Sequence, residues 1–171
     1  MSNGNKYLYN NQGVITEEYS TQTSSGAANA GDIVSLNSNG QIDLSMLPDG
    51  IVPETDQIIT SEALVAGAFV NFYDNAGVAN CRNADNTAFG KEANGFVRQA
   101  YAIGQTATVY RVSQDNDQLI GMTPGAKQWL GTAGTRTETY STTSGNVVQM
   151  LGVATSATTM TFNPRDIIVL A

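Results

Sequence analysis

The stretch Thr106-Ala107-Thr108-Val109-Tyr110-Arg111-Val112 decides the fold class, because apolar and polar side chains alternate along it. Side chains two residues apart lie on the same face of a β-strand, so Ala107, Val109 and the aliphatic stem of Arg111 share one face. This period predicts a strand with one packed face and one solvated face.

Similar runs rich in Val, Ile, Thr, Phe and Tyr recur along the chain, at residues 68–73, 95–99, 147–154 and 167–170. Turn sequences rich in Asn and Gly separate the runs, at residues 10–13, 37–40, 74–77, 93–95, 123–125 and 144–146. Asn, Asp and Gly tolerate the left-handed backbone of tight turns, so each segment predicts a reversal of the chain. The spacing predicts an all-β fold, either an antiparallel β-sandwich or a small β-barrel.

Helix signals are confined to residues 44–47 and 61–64, and each segment is long enough for one turn only. The C-terminal run at residues 167–170 consists of apolar β-formers. An exposed strand of this kind is a template for aggregation, so we expect it to be an interior strand that holds the terminus in the sheet.

The first 55 residues differ from the rest of the chain. Residues 6–9 and 14–19 predict short strands, whereas residues 20–31 are small and polar and are expected to need a partner to become ordered. Prolines at 48 and 53 predict a stiff hinge. We therefore predict an extended N-terminal arm and connector over residues 1–55 and a β-rich domain over residues 56–171, with the arm lying across a neighbouring subunit.

Aromatic and aliphatic side chains of this arm are the candidate partner-binding residues. Tyrosine buries a large area at a low entropy cost and is enriched at protein interfaces, although local packing is the alternative for the tyrosines. The candidates are Tyr7, Tyr9, Tyr19, Ile33, Leu36 and Leu47.

Composition excludes several classes of function. The net charge of -7 and the pI near 4.3 disfavour direct binding of nucleic acid, which depends on Lys and Arg. The chain contains no histidine, so the commonest general base and metal ligand are missing, and a Ser-His-Asp triad is impossible. We expect no enzymatic activity, no catalytic residues and no cofactor.

Two sets of acidic residues were considered, one as a glycosidase site and one as a calcium site. Glycosidases need two carboxyl groups a few ångströms apart, and five acidic residues near the arm and hinge could supply them. We expect solvated charges instead; the five are Glu17, Glu18, Asp49, Glu54 and Asp56. Asp115-Asn116-Asp117 lacks the glycine and the distant glutamate of a calcium-binding loop, so it predicts a hairpin turn and no metal site.

Cysteine and tryptophan each occur once in the sequence, and both residues were considered as functional groups. Cys81 is the one cysteine, which rules out an intrachain disulfide, and we expect a small, half-buried apolar residue. We expect Trp129, the one tryptophan, in the core or at a subunit interface in preference to a sugar platform.

Targeting signals are not apparent in this sequence. The first five residues contain neither a cationic stretch nor an apolar run, so they do not predict a secretory signal. No window reaches the roughly 20 apolar residues that span a bilayer. We expect synthesis in a cytoplasm and no membrane partner.

Two segments resemble parts of bacteriophage virion proteins. Residues 27–53, with GDIVSLNSNGQID at 31–43 followed by Met46-Leu47-Pro48, resemble a connector that precedes a globular β domain in such proteins. The segments IGMTPGAKQWL (120–130), SGNVVQMLGVA (144–154) and 159–170 resemble the C-terminal β module of capsid decoration (cement) proteins and of some tail-fibre proteins. Gln128-Trp129 stands where two aromatic residues are usual in that module.

The resemblance implies a structural protein of the virion that sits as a homotrimer on the outer capsid surface and binds the major capsid protein. Such a protein stabilises the capsid by binding across neighbouring subunits. The acidic composition agrees with an outer position, because the inner wall faces packaged DNA. The alternative is a tail-fibre or adhesin module that binds host surface glycans, and a third reading is a ring-forming tail-tube or neck protein.

Overall fold

The structure is a computed structural model that describes residues 6–48 and 54–171. The chain divides into two compact units, Met1–Val52 and Pro53–Ala171. Strands are the main regular elements of both units, and the helical elements within the described residues are two single 3-10 turns. The predicted all-β class is therefore confirmed.

A β-hairpin opens the N-terminal unit. Strand β1 (Lys6–Asn11) pairs in antiparallel fashion with β2 (Val14–Tyr19), and the chain then makes 3-10 turns at Gly26–Asn29 and Leu44–Met46. The predicted strands, the turn at 10–13 and the turn at 44–47 are thus present. The hinge predicted around residues 48–53 falls almost entirely outside the described residues.

Hydrogen bonds inside the N-terminal unit order the polar segment that follows the hairpin. Thr21 forms a parallel bridge with Val34: its amide donates to the Ile33 carbonyl at 2.8 Å, and its carbonyl accepts from the Ser35 amide at 2.9 Å. These bonds tie the start of the segment to residues 33–35. That residues 20–31 need a partner to become ordered stays a prediction.

Five strands of the C-terminal unit close into a small barrel, so the barrel alternative of the predicted fold is the one adopted. The strands are β3 (Thr55–Thr60), β4 (Phe69–Asn75), β5 (Val78–Asn83), β6 (Gly95–Val97) and β7 (Thr106–Tyr110), in the order β3-β5-β4-β6-β7. Every pairing is antiparallel except that of β3 with β5, which is parallel.

The alternation in β7 separates two hydrophobic cores. Ala107 and Val109 point into the barrel, where both are fully buried. On the opposite face, the Tyr110 ring stacks on Phe96 at 5.5 Å and packs against a second core. The packed face was predicted, but the other face is solvated only in part because a second sheet covers the barrel wall.

That second sheet contains β8 (Asp115–Asn116), β9 (Lys127–Leu130), β10 (Arg136–Thr137), β12 (Met150–Ala154) and β13 (Met160–Phe162), in the order β10-β9-β12-β13-β8. Strand β11 (Val147–Val148) lies between β10 and β12 in the sequence. It pairs with the final strand, β14 (Ile168–Val169), in a separate two-stranded sheet. The inward side chains of the sheet meet the outward face of the barrel, and the core they share includes Phe69, Phe96, Leu130, Leu151, Met160 and Phe162.

Three local predictions were wrong. The C-terminal strand is not interior: β14 pairs on one side only, and Ile168 and Val169 are 63% and 50% exposed. Residues 61–64 form no helical turn, because Leu64 makes an isolated bridge to Tyr101. Residues 93–95 are not a reversal, since Gly95 begins β6.

Candidate functional site

A tight turn holds the N-terminal hairpin in register. Gln12 and Gly13 both have positive φ, at 52° and 92°, and the Asn10 side chain accepts a hydrogen bond from the Gly13 amide at 2.6 Å. Two successive left-handed residues match the twist of the flanking strands. The register then pairs Lys6 with Tyr19 and Tyr7 with Glu18.

The hairpin distributes the three predicted tyrosines over both of its faces. Tyr7 and Tyr9 share one face, with ring centroids 6.2 Å apart. Tyr19 lies on the opposite face, where the Lys6 ammonium is 4.9 Å from its ring centroid. The structure therefore brings two of the tyrosines together and separates the third from them.

Charged groups flank these rings. Lys6 donates to the Glu17 carboxylate at 3.0 Å, and this hydrogen bond is the main reason that the pKa of Lys6 is raised. The pKa of Tyr9 is also raised, first by desolvation and then by the negative charge of Glu18. Tyr9 therefore stays neutral and can act as a hydrogen-bond donor at an interface.

The other three predicted contacts lie beyond the hairpin. Ile33 and Leu36 are more than half exposed, whereas Leu47 is half-buried at the end of the second 3-10 turn. Asp43 caps that turn by accepting from the Ser45 amide at 3.0 Å. A hydrogen bond from the Ser45 hydroxyl and this backbone bond lower the pKa of Asp43.

Exposed apolar side chains distinguish the N-terminal unit from the rest of the chain. Ser20 is the one buried residue in the described range 6–48, and no large hydrophobic side chain in that range is buried. Ten large hydrophobic side chains are exposed instead: Leu8, Tyr9, Val14, Ile15, Tyr19, Ile33, Val34, Leu36, Ile42 and Leu44. A two-stranded hairpin is only marginally stable unless something packs against it, so these side chains form a candidate interaction surface.

Sequence reasoning missed six of these ten residues. Leu8, Val14, Ile15, Val34, Ile42 and Leu44 were not among the candidates. For Leu8 and Ile15 the sequence offered no signal, because their exposure follows from the absence of a third paired strand among the described residues.

The acidic candidates are occupied by local contacts. Asp115 lies in β8, where its carboxylate accepts from the Thr161 hydroxyl at 2.6 Å, and the Asn116 side chain donates to the Gly67 carbonyl at 2.9 Å. This segment was predicted as a turn, but it pairs with β13. No cluster of three metal-ligating side chains occurs among the described residues.

Three of the carboxylates weighed for glycosidase chemistry have defined surroundings in the described structure. Glu17 and Glu18 lie on opposite faces of β2, and Glu17 is held by Lys6. The Asp56 carboxylate lies 3.4 Å from the Arg111 guanidinium, while Asp49 falls outside the described residues.

Cys81 lies inside the barrel and is completely buried, more so than the half-buried position expected from the sequence. Burial raises the pKa of its thiol to about 11. A thiol is nucleophilic as the thiolate, so this group is chemically inert at neutral pH.

Trp129 lies on the outer face of the five-stranded sheet, where it is half-buried. Its ring meets Tyr140 edge-on at 5.5 Å, and Met150 is its cross-strand partner. Neither core cluster includes Trp129, so the core position offered in the sequence reading is wrong and an outward surface position is observed.

None of the helices in the described residues is both long and apolar enough to cross a bilayer. No protein-family model and no curated protein matches the sequence. Among solved structures, the chain is similar to the N base of the head fibre protein gp8.5 of bacteriophage phi29, with 12% sequence identity and a TM-score of 0.42. That similarity covers 66% of this chain and 95% of the other chain. At this level the likeness carries no argument about function.

Proposed function

We propose that this chain is a structural protein of a bacteriophage particle that decorates the outer surface of the capsid. In this proposal the N-terminal unit binds across neighbouring subunits of the major capsid protein, and the C-terminal β unit stands on the shell. The chain acts as a homotrimer, performs no chemistry and uses no cofactor.

The observation that carries the proposal is the exposed apolar surface of residues 6–48. Ten large hydrophobic side chains are exposed there and none is buried. A two-stranded hairpin without a buried face is only marginally stable alone, so a segment of this kind is expected to pack against another protein. The connector-like sequence at residues 27–53 supports a capsid protein as that partner, because it resembles a segment of phage virion proteins.

The mechanism is energetic. A protein that binds the assembled shell and not its free subunits stabilises the assembly by mass action. Three arms in one trimer would increase the affinity further, because the second and third contacts form at a high effective concentration. The acidic net charge of -7 suits the outer wall, where no packaged DNA has to be neutralised.

Cosedimentation with purified capsids of the parent phage tests the proposal. The full-length protein should pellet with the shells, and the double variant Ile33→Ser/Leu36→Ser should lose about tenfold or more in affinity, because each loses an apolar contact. A matched control is Val65→Ser/Ile120→Ser, which removes two even more exposed aliphatic side chains from the C-terminal unit and should bind normally. Absence of binding by the unmodified protein would refute the capsid partner.

Light scattering coupled to size exclusion tests the trimer. The expected mass is three times the chain mass of 18.0 kDa, and the mass of a single chain at all concentrations would contradict it.

A reducing-end assay on bacterial polysaccharides should show no turnover, since neither Glu17 nor Asp56 has a second carboxylate as its cross-strand partner.

A further inference from the structure

The outer face of the five-stranded sheet contains a pocket that the capsid-binding proposal does not use. Its volume is about 190 Å³, and Met150, Gly152, Val153, Thr161, Asn163 and Arg165 are among the residues that line it. Pockets for drug-sized ligands are larger, so this one is sized for a single small ring.

A β-bulge creates the pocket. The pairing of β12 with β9 shifts register between Met150 and Gly152, which leaves Leu151 as an extra residue. Gly152 has a φ of 153°, and a Cβ at this position would overlap the Thr161 carbonyl. The bulge therefore depends on glycine, and bulges are over-represented next to binding sites, where they redirect side chains.

Polar groups at the pocket are available for a ligand. The Arg165 and Asn163 side chains are exposed, and neither forms a hydrogen bond or ion pair with another described residue. Lys127, the cross-strand neighbour of Val153, is also exposed and unpaired within the described part of the chain. Five of the other six cations contact carboxylates or aromatic rings, so the free pair Arg165 and Lys127 is a local feature. The five paired cations are Lys6, Arg82, Arg98, Arg111 and Arg136.

Acceptors lie beside these donors. Thr161 donates its hydroxyl proton to Asp115, which leaves the lone pairs of the Thr161 oxygen free to accept. The Asn163 amide adds a carbonyl oxygen as well as two N–H donors. A ligand that fits this edge of the pocket must itself both donate and accept hydrogen bonds.

An apolar wall completes the site. Val153 is 41% exposed, and the half-buried Met150 lines the same pocket. A sugar ring has an apolar C–H face and an equatorial edge of hydroxyl groups that donate and accept. We propose that this pocket binds one sugar ring of a glycan, with Arg165 and Asn163 at the hydroxyl edge and Met150 and Val153 along the C–H face.

This site is independent of the capsid-binding surface, since it lies within the C-terminal unit and shares no residue with residues 6–48. The two proposals can therefore fail separately. Together they would describe a protein that is attached by one unit and binds a surface carbohydrate with the other.

The test uses the full-length protein on an array of oligosaccharides that end in glucose, galactose, N-acetylglucosamine, glucuronate or sialate, with hits measured by titration calorimetry. We expect at least one hit, and Arg165→Ala should weaken it by about tenfold because a hydrogen bond to a charged group is lost. Val153→Ser should weaken it less, because only an apolar contact is lost. The control Lys91→Ala removes the same charge from another part of the C-terminal unit and should bind normally.

Two outcomes would overturn the proposal. The first is an array without hits, and the second is a hit whose affinity is the same in unmodified protein, Arg165→Ala and Asn163→Ala. Circular dichroism of the variants guards against misfolding, and both replaced side chains are exposed. Capsid cosedimentation of Arg165→Ala should be unchanged, which separates failure of the sugar site from failure of the capsid contact.

Discussion

Gly95 occupies a position in the barrel wall where no side chain fits. A Cβ there would lie 2.5 Å from the Cγ1 atom of Val109 and 2.7 Å from the Tyr110 carbonyl oxygen. Gly95→Ala should therefore lower the free energy of unfolding by about 1–3 kcal/mol, the usual cost of overpacking. Urea denaturation measures this, with the exposed Ala79→Ser in β5 as a control that should stay within about 0.5 kcal/mol. Equal stability of the two variants would show that the strands yield easily at Gly95.

We expect the Cys81 thiol to make the barrel less stable as the pH rises into the alkaline range. Its pKa is about 11 in the folded protein, because burial disfavours the thiolate, against roughly 8.5 for an unperturbed thiol. Between these values the unfolded chain loses a proton that the folded chain keeps, so the free energy of unfolding falls as the pH rises. Below about pH 8.5 the thiol is protonated in both states and has no such effect.

The Cys81→Ala variant isolates this effect from the titration of tyrosines and lysines, which both proteins share. Urea denaturation at pH 7, 9 and 10.5 should show a stability difference between the two proteins that shifts in favour of the variant as the pH rises. A difference that is constant across this range would mean that the folded thiol titrates normally.

At the scale of elements, local pairing was predictable and closure was not. The hairpin β1-β2 and the turn at 74–77 were identified because both turns contain glycine preceded by Asn or Asp, and these residues act within four positions. The parallel contact of β3 with β5 joins strands about 20 residues apart and leaves no periodic signal in either strand. For the same reason the role of Gly95 was missed, since the atoms that exclude a side chain belong to β7.

The candidate interaction surface was likewise predictable only where residue type alone identified a side chain. Tyr9, Tyr19, Ile33 and Leu36 were identified from residue type alone, and all of them are exposed. Val14 and Ile15 look like ordinary strand residues in the sequence, and only the absence of a packing layer over the hairpin shows that they are exposed. The pocket at Gly152 could not be predicted, because it depends on a register shift between two paired strands.

Gln149 is the residue between strands β11 and β12, which the sequence suggested as one continuous strand. Its side chain is buried between β11 and β12, where it accepts from the Ala93 amide at 2.8 Å and donates to the Ala93 carbonyl at 3.0 Å. Gln149→Leu keeps the size but leaves both Ala93 groups unpaired in the interior. We expect a loss of about 2–6 kcal/mol, from roughly 1–3 kcal/mol for each of the two unpaired groups.

Thermal denaturation of Gln149→Leu measures that loss. The matched control is Gln57→Leu, which removes an exposed glutamine whose amide bonds to the Thr108 hydroxyl at 3.0 Å. Its effect should be within about 0.5 kcal/mol. If both variants melt together, the paired hydrogen bonds of Gln149 contribute nothing net.

At the scale of the whole molecule, two hairpins with nearly the same local chemistry occur in different surroundings. In β1-β2 and in β4-β5, six residue pairs flank a two-residue turn with positive φ, at Gln12-Gly13 and Ala76-Gly77. In each, a side chain three residues before the glycine accepts from its amide. The difference between them is burial, because β4 begins with three buried residues and the first hairpin has none.

Hydrogen exchange of the isolated protein should therefore separate the two hairpins. Amides of β1 and β2 should exchange by local opening at little free-energy cost, whereas those at the start of β4 should exchange only through opening of the barrel, orders of magnitude more slowly. Addition of capsids should slow exchange in the first hairpin and leave β4 unchanged, because binding supplies the packing layer that the hairpin lacks. Equal protection of both hairpins in the isolated protein would mean that β1-β2 is stabilised without the capsid, and its exposed apolar surface would then require no capsid partner.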